Sequence, residues 1–290
     1  MRILDFGSLN IDHVYSLDHF VRAGETIASE NYQRNEGGKG LNQAIALAKA
    51  GTETYMAGAV GEDGGFLRVF LTGNGVRTEY LKTVDVPTGH AIIQVNAEGQ
   101  NSIILYGGAN QAVAVEMIDE TLAHFGKGDC VLLQNEISNV PYVIEKAKEN
   151  GMYVVLNPSP ATEAMKSWPL EKVDLFILNE IEGGDLTGET EPDRILDGLL
   201  ARYPDSKVVL TLGENGSVFA DRRVRIRQAA IPADAVDTTA AGDTFTGYFL
   251  TGYLNGRGIA VSLETASRAA SIAVSRKGAG RSIPYAEELE

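Results

Sequence analysis

Short apolar runs alternate with helically periodic stretches along most of the chain, and this alternation narrows the fold more than any other feature. RILDF precedes GLNQAIALAKAG, TYMAGAV precedes GGFLRVFLTGNG, and CVLLQ precedes NVPYVIEKAKENG; MYVVLN, DLFILN with a helix ending near Tyr203, and KVVLTL follow. Strands and helices in alternation imply an α/β fold, a mostly parallel sheet with helices on both faces. At 290 residues and 44% hydrophobic the chain can bury the core such a sheet needs. No fixed-period repeat, low-complexity segment or Gly/Ser-rich linker divides it, so one domain over residues 1–290 is expected.

Two regions, about residues 11–35 and 88–107, break the helical pattern. The second reads HAIIQVN-AEGQ-NSIILY, two apolar runs joined by a Gly-containing turn, which predicts a β-hairpin. Together the two regions are expected to form a small sheet that acts as a lid; an ordinary edge extension is the alternative.

In open α/β sheets ligands gather beyond the carboxyl ends of the strands. There this sequence places SLNID (Asn10, Asp12), LLQNE (Glu136), VVLNP (Asn157), FILNEIE (Asn179, Glu182) and LTLGENG (Gly213, Gly216). Each alone serves equally as a turn or cap residue; their recurrence on one rim is the informative part. Two helix starts are also rich in small residues: Gly37-Gly38-Lys39-Gly40, and Ala240-Ala241-Gly242-Asp243 within VDTTAAGDTFTGYFLTGYL. Free N–H groups at such starts attract anions, and small side chains let a phosphate come close. A lone Asp at a helix start often only complements the helix dipole. Two such starts with a carboxylate suggest phosphoryl transfer to a hydroxyl, with Asp243 taking the proton.

Other chemistries fit less well. The net charge of −14, without a basic block, makes nucleic acid and anionic membranes poor partners. No apolar run approaches the ~20 residues of a membrane span. The single Cys130 excludes an internal disulfide, and MRILDFGSLNID lacks a signal-type apolar core, so a cytoplasmic protein is expected. GxxxxGK(S/T), GxGxxG after the first strand, GxSxG and HExxH are all missing, and His13, His19, His90 and His124 show no ligand spacing.

With these residues in view, the sequence resembles the ribokinase-like (phosphofructokinase B) sugar kinase family, ribokinase-type members in particular. The likeness rests on GGKGLNQAIALAKAG with AVGEDGGF after it, and on VDTTAAGDTFTG. GSLNIDH, VNAEGQNSI with GGAN, NEIE, TLGENG and AVSRKGAGRSIP support it in order along the chain.

The resemblance implies that Asp243 is the base and that the N–H groups of Ala240, Ala241, Gly242 and Asp243 form an anion hole. It implies that Asn10, Asp12, Gly38, Lys39, Asn42 and Glu136 hold the sugar, Lys39 also steadying the γ-phosphate. Asn179 and Glu182 match the NxxE motif at the Mg2+ and phosphate end, acting through water; Thr211, Gly213, Gly216 and Ser267 fit the nucleotide side. Asp237, Thr239, Ala273, Arg276, Gly278 and Ser282 match an activating monovalent cation site, several through carbonyls. The sequence departs from the family at Glu36, where an apolar residue or Pro is usual, and at Ala240, where Gly is commoner.

The implied function is ATP-dependent phosphorylation of a pentose, D-ribose to ribose 5-phosphate first, with Mg2+ and K+, in a homodimer joined through the lid. A deoxyribose, nucleoside or phosphosugar kinase of the same fold stays open, as does a non-catalytic sugar sensor. A substrate phosphate would need more lid cations than Arg22 and Arg34 supply.

Overall fold

The computed structural model describes residues 1–289. The first half forms β1 (Ile3–Phe6), β2 (Asn10–Ser16), β3 (Asn31–Gly37), α1 (Lys39–Lys49), β4 (Thr54–Val60), α2 (Gly65–Gly73), β5 (Arg77–Thr83), β6 (Gly89–Val95), β7 (Asn101–Tyr106), α3 (Val115–Leu122) and β8 (Cys130–Gln134). The second half forms α4 (Val140–Glu149), β9 (Tyr153–Asn157), β10 (Leu175–Asn179), α5 (Glu180–Thr187), α6 (Pro192–Arg202), β11 (Lys207–Thr211), β12 (Ser217–Ala220), β13 (Arg225–Gln228), α7 (Ala241–Leu254) and α8 (Ile259–Val274).

The runs that are apolar throughout become the buried centre of a nine-stranded sheet ordered β13-β12-β11-β10-β9-β8-β1-β4-β5. From β11 across to β5 the strands are parallel, while β12 and β13 add an antiparallel edge. Strand side chains alternate between faces, and each face has its own core. Leu4, Phe6, Val131 and Leu133 pack with α3, α4, α5 and α6, while Ile3, Cys130 and Leu132 pack with α1, α2, α7 and α8. β1 lies between β4 and β8, so the chain leaves it in both directions across the sheet. The crevice past the ends of β1 and β8 is therefore the topological switch point where ligands settle in open sheets.

The two regions without helical periodicity form a separate four-stranded sheet, β3-β2-β6-β7, whose β2 opens directly after β1. Residues 17–30 between β2 and β3 have no regular element. Asn10, which reads as the end of the first strand, instead begins β2 and pairs with Gly37 and Gly89. The helix expected to run to Tyr203 is two: α5 stops at Gly188, whose φ of 82° gives a left-handed cap, and α6 restarts with Pro192.

Candidate active site

The two small-residue helix starts meet because their helices cross at close range. A Cβ on Gly247 of α7 would sit 2.4 Å from Ala46 Cβ and 2.7 Å from the α1 backbone, an approach only glycine permits. Four residues earlier on each helix, one turn nearer the amino ends, Asp243 faces Asn42 and Gln43. Asn42 Nδ2 donates to Asp243 Oδ2 at 3.1 Å and Gln43 Nε2 donates to Oδ1 at 2.8 Å. The carboxylate is thus fixed on both oxygens and only 7% exposed.

Asp243 opens into a cleft of about 240 Å³ lined also by Lys39, Asn157, Asn179, Glu182, Thr211, Thr238, Ala240, Ala241 and Gly242. Ala240 caps α7 with φ 60°, a left-handed conformation that costs an alanine roughly 1–2 kcal/mol and explains why glycine suits the position. The Ala241 N–H does not stay free as expected. The first turn tightens, and that N–H donates to the Thr238 carbonyl at 3.3 Å. Among the described residues, the N–H groups of Ala240, Gly242 and Asp243 have no protein acceptor, and the space over Gly242 is open. On the facing helix, burial works to lower the Lys39 ammonium, but the carboxylates of Asp243, Glu136 and Glu182 outweigh it and the net direction is up. Lys39 is a cation among carboxylates.

Past the end of β1, the Ser8 hydroxyl donates to Glu136 Oε2, which also accepts the Lys39 backbone N–H at 3.3 Å. Burial pushes the Glu136 carboxyl up, against the pull of Ser8 and Lys39. Gly38 has φ 100° and its Cβ would lie 2.8 Å from the Ser8 carbonyl, so the α1 start is wedged against the β1 end. Asn10 is held by Asn110, whose Nδ2 donates to Asn10 Oδ1 at 2.8 Å. Asp12 lies on the same face of β2 as Asn10, over the space that a side chain on Gly37 would fill. Its pKa is pushed up to about 6, by burial first and the negative charge of Glu136 second.

Asn179 and Glu182 line the cleft, yet they also form a capping box on α5: Asn179 Oδ1 accepts from Glu182 N at 2.9 Å, and Glu182 Oε2 accepts from Asn179 N at 3.0 Å. Thr211 ends β11, Gly213 (φ 55°) opens the turn after it, and Gly216 (φ 91°) closes that turn. Ser267 is buried on α8 and does not line the cleft. Asp237 ties two loops together, accepting from Thr239 N at 2.9 Å and from Gly278 N at 3.0 Å. Burial pushes this carboxyl up, but those bonds prevail and hold it below the usual range. In the second loop Arg276 N donates to the Ala273 carbonyl at 3.1 Å, and Ser282 Oγ donates to the Ala279 carbonyl at 2.8 Å. Glu36 is paired through both oxygens with Arg281, at 3.1 and 2.9 Å, which joins β3 to the same loop.

Sequence reading passed over Ser8, Asn110, Gln43 and Gln134. Polar residues closing buried runs, as Gln134 closes CVLLQ, were the available signal. A larger depression of about 430 Å³ along α5 carries Glu180, Asp185 and Glu189 and no cation, which suits no anionic ligand. No helix among the described residues is long and apolar enough to cross a membrane.

Known proteins give the same frame. A 37% identical ribokinase of Haemophilus influenzae aligns over 97% of this chain and 95% of its own. A deoxyribokinase of Salmonella typhi is 32% identical over 100% of this chain and 97% of its own. The structure of Arabidopsis thaliana ribokinase complexed with ribose and ATP superposes with a TM-score of 0.88, at 34% identity over 99% of this chain and 96% of that one. The model of the pfkB family carbohydrate kinases matches residues 2–286, and with its ribokinase-like fold and small second sheet this chain belongs to that family of sugar kinases.

Proposed function

We propose that this enzyme transfers the γ-phosphoryl group of ATP to the primary hydroxyl of D-ribose, giving ribose 5-phosphate and ADP. The observation that carries the reading is Asp243, a carboxylate fixed by Asn42 and Gln43 at the start of α7, beside the free N–H groups of Gly242 and of its own backbone. Asp243 takes the hydroxyl proton; the oxygen forms its bond to the γ-phosphorus as the bond to the bridging oxygen breaks and ADP leaves. The N–H groups at the α7 start, with Lys39 opposite, stabilise negative charge on the transferring group. Asn10, Asp12, Gly38, Asn42 and Glu136 orient the sugar, and Thr211, Gly213 and Gly216 receive the nucleotide, whereas Ser267, buried on α8 away from the cleft, is left out of that role.

Ribose as the sugar is supported by the ribokinase relatives and by the ribose bound in the Arabidopsis enzyme. A phosphosugar is disfavoured because Arg34 is engaged: its guanidinium donates to the Asp63 carbonyl at 2.9 Å and lies over the Phe66 ring at 4.1 Å. Two metal ions fit the donors present. Besides Asp243 the cleft carries one carboxylate, Glu182, with one oxygen already accepting a backbone N–H, suited to Mg2+ that keeps most of its waters. Asp237 already bridges the two loops through Thr239 and Gly278, and this one carboxylate with carbonyl and hydroxyl oxygens from Thr239, Ala273, Arg276, Gly278 and Ser282 would be the donor set for K+. Mg2+ would neutralise phosphate charge, and K+ would brace the loop before α7. We further infer that residues 1–290 act as one domain in the cytoplasm, where a free thiol such as the buried Cys130 persists, as a homodimer through the lid sheet.

The test is ADP release by the purified enzyme with ATP, Mg2+ and K+ over D-ribose, 2-deoxy-D-ribose, fructose 1-phosphate and adenosine. D-Ribose should give the highest kcat/KM, with phosphorus NMR placing the phosphate on the primary carbon. Turnover of another acceptor with none on ribose would overturn the sugar assignment.

A further inference from the structure

A buried carboxyl lies behind the base, and the reaction above does not use it. Asp5 interrupts the apolar strand β1 and is 0% exposed. Its Oδ1 accepts from Gln134 Nε2 at 3.0 Å, and the same nitrogen donates to Gln43 Oε1 at 2.8 Å. Gln43 Nε2 then donates to Asp243 Oδ1 at 2.8 Å and to Asn157 Oδ1 at 2.9 Å, while Asn157 Nδ2 donates to the Ile177 carbonyl at 2.8 Å. An amide has one accepting and one donating end, so this chain has a direction. Turning Gln43 over would set its oxygen against the oxygens of Asp243 and Asn157. Turning Gln134 over would set its oxygen against that of Gln43. The Ile177 carbonyl fixes the direction at one end, and the Asp5–Gln134 pair closes the other.

Among the described residues, the buried Asp5 Oδ2 and Gln134 Oε1 have no hydrogen-bond partner, and they belong to the pair already joined by one hydrogen bond. One proton on Asp5 supplies the donor this pair lacks. Burial pushes the Asp5 carboxyl well above the usual carboxylate range; the Gln134 bond pulls the other way and the charge of Asp243 adds to the rise. Space for the pair comes from Gly7, where a Cβ would lie 2.2 Å from Gln134 Oε1 and 2.8 Å from Asp5 Oδ1.

We propose that Asp5 is a positioning residue for phosphoryl transfer, acting through Gln134 and Gln43 to keep an N–H donor on Asp243 Oδ1. The inference rests on Asp243 being the base. Without Asp5, Gln134 loses one of the two acceptors that orient it, its hold on Gln43 Oε1 weakens, and Asn157 alone is left to keep the Gln43 N–H on Asp243. A carboxylate whose N–H donor is held less firmly is harder to ionise.

The experiment compares pH–rate profiles of the full-length parent, Asp5→Val, Asp5→Asn, Gln134→Leu, the double variant Asp5→Val/Gln134→Leu and Asp243→Asn, at saturating ATP and ribose. Valine suits a buried parallel strand, so Asp5→Val should keep the fold. It should lower kcat about tenfold and move the acid limb up by about one pH unit, with KM for ATP within about twofold. Asp5→Asn carries an NH2 in place of Oδ2 and should hold the acid limb where the parent has it. Gln134→Leu should reproduce the Asp5→Val shift, and the double variant should add nothing further. Lys39 on α1, Glu136 beyond β8 and Glu182 on α5 also face Asp243 and are unchanged throughout, so the displacement reports the amide chain. If Asp243→Asn loses at least about 100-fold in kcat while Asp5→Val keeps the parent profile, the role of Asp5 falls and the base stands. Near-full turnover of Asp243→Asn removes both. Should Asp5→Val fail to fold, a parent-like acid limb in Gln134→Leu overturns the proposal by itself.

Discussion

If Asp12 holds the sugar as proposed, its carboxyl, with its pKa raised to about 6 by burial and then by Glu136, would connect sugar binding to pH. Its ordinary value is 3.8. Between the two, the folded protein holds a proton that the unfolded chain has released, so this group makes stability fall as pH rises through that window. Above it the buried charge is a standing cost that a hydroxyl donor from the sugar would offset. Asp12→Ala should therefore raise KM for ribose about tenfold or more at neutral pH, leave KM for ATP within about twofold, and not lower Tm. In the parent, KM for ribose should climb as pH drops below about 6, and the variant should lose that dependence. Equal rises in both KM values would return Asp12 to a structural part. Lys39 and Asp243, which the fold brings to one cleft, were legible in the sequence because each sits in a short motif with its own chemistry. Asp5, Ser8, Gln43 and Gln134 were not, because their partners lie far along the chain: Gln43 meets Asp243 across 200 residues and Gln134 across 91. Only the crossing of α1 and α7 over β1 and β8 gives those polar side chains a purpose.

That crossing depends on Gly247, whose missing side chain lets α7 lie on Ala46 and Leu47. Gly247→Ala should push the helices apart, costing about 1–3 kcal/mol as overpacking does, and kcat should fall with Tm because Asp243 moves away from Gln43. Thermal melts beside steady-state rates check this, and a destabilised variant with parental kcat would show that the crossing sets stability alone. The loop before α7 makes a separate demand. Asp237 bridges it to residues 276–282, and Arg281 reaches from there to Glu36 on β3. A cation bound between these loops should hold the α7 start in place, so exchanging K+ for tetramethylammonium at constant ionic strength should lower kcat several-fold. Equal rates in the two salts would take the cation out of the mechanism. Central strands and the helices after them were readable from the sequence, since strands buried on both faces are apolar throughout. β5, β12 and β13 escaped notice: they lie at the sheet margins, and β5 mixes Arg77, Glu79 and Lys82 with buried Thr78 and Leu81. The break between α5 and α6 was hidden because only four residues, 188–191, separate two stretches that each read as helix.

At the scale of the molecule, the large sheet is covered on both faces while the small one is not. All six residues of β7 are exposed, including Ile103 at 55%, Ile104 at 60%, Leu105 at 54% and Tyr106 at 46%. β7 is also an edge strand, with one row of backbone groups unpaired. A four-stranded sheet with apolar side chains in water on its outer strand is marginal by itself, and a patch of this kind marks a protein interface. In the proposed dimer a second copy of the chain would take that place, because the lid of each subunit would cover the apolar strand of the other and stiffen it over the sugar. The net charge of −14 opposes association of two copies, so the dimer should tighten as salt screens that repulsion. Ile104→Glu places a further charge at the centre of the patch, and Ile104 stands beside Ile92 on β6, the strand that joins β7 to β2 and Asp12. The variant should sediment as a monomer at micromolar concentration and raise KM for ribose several-fold, with KM for ATP little changed because the proposed nucleotide residues Thr211, Gly213 and Gly216 lie at and after the end of β11, in the other sheet. A parent enzyme that sediments as a fully active monomer at that concentration would refute the shared lid, since nothing would then be left for a partner to stiffen.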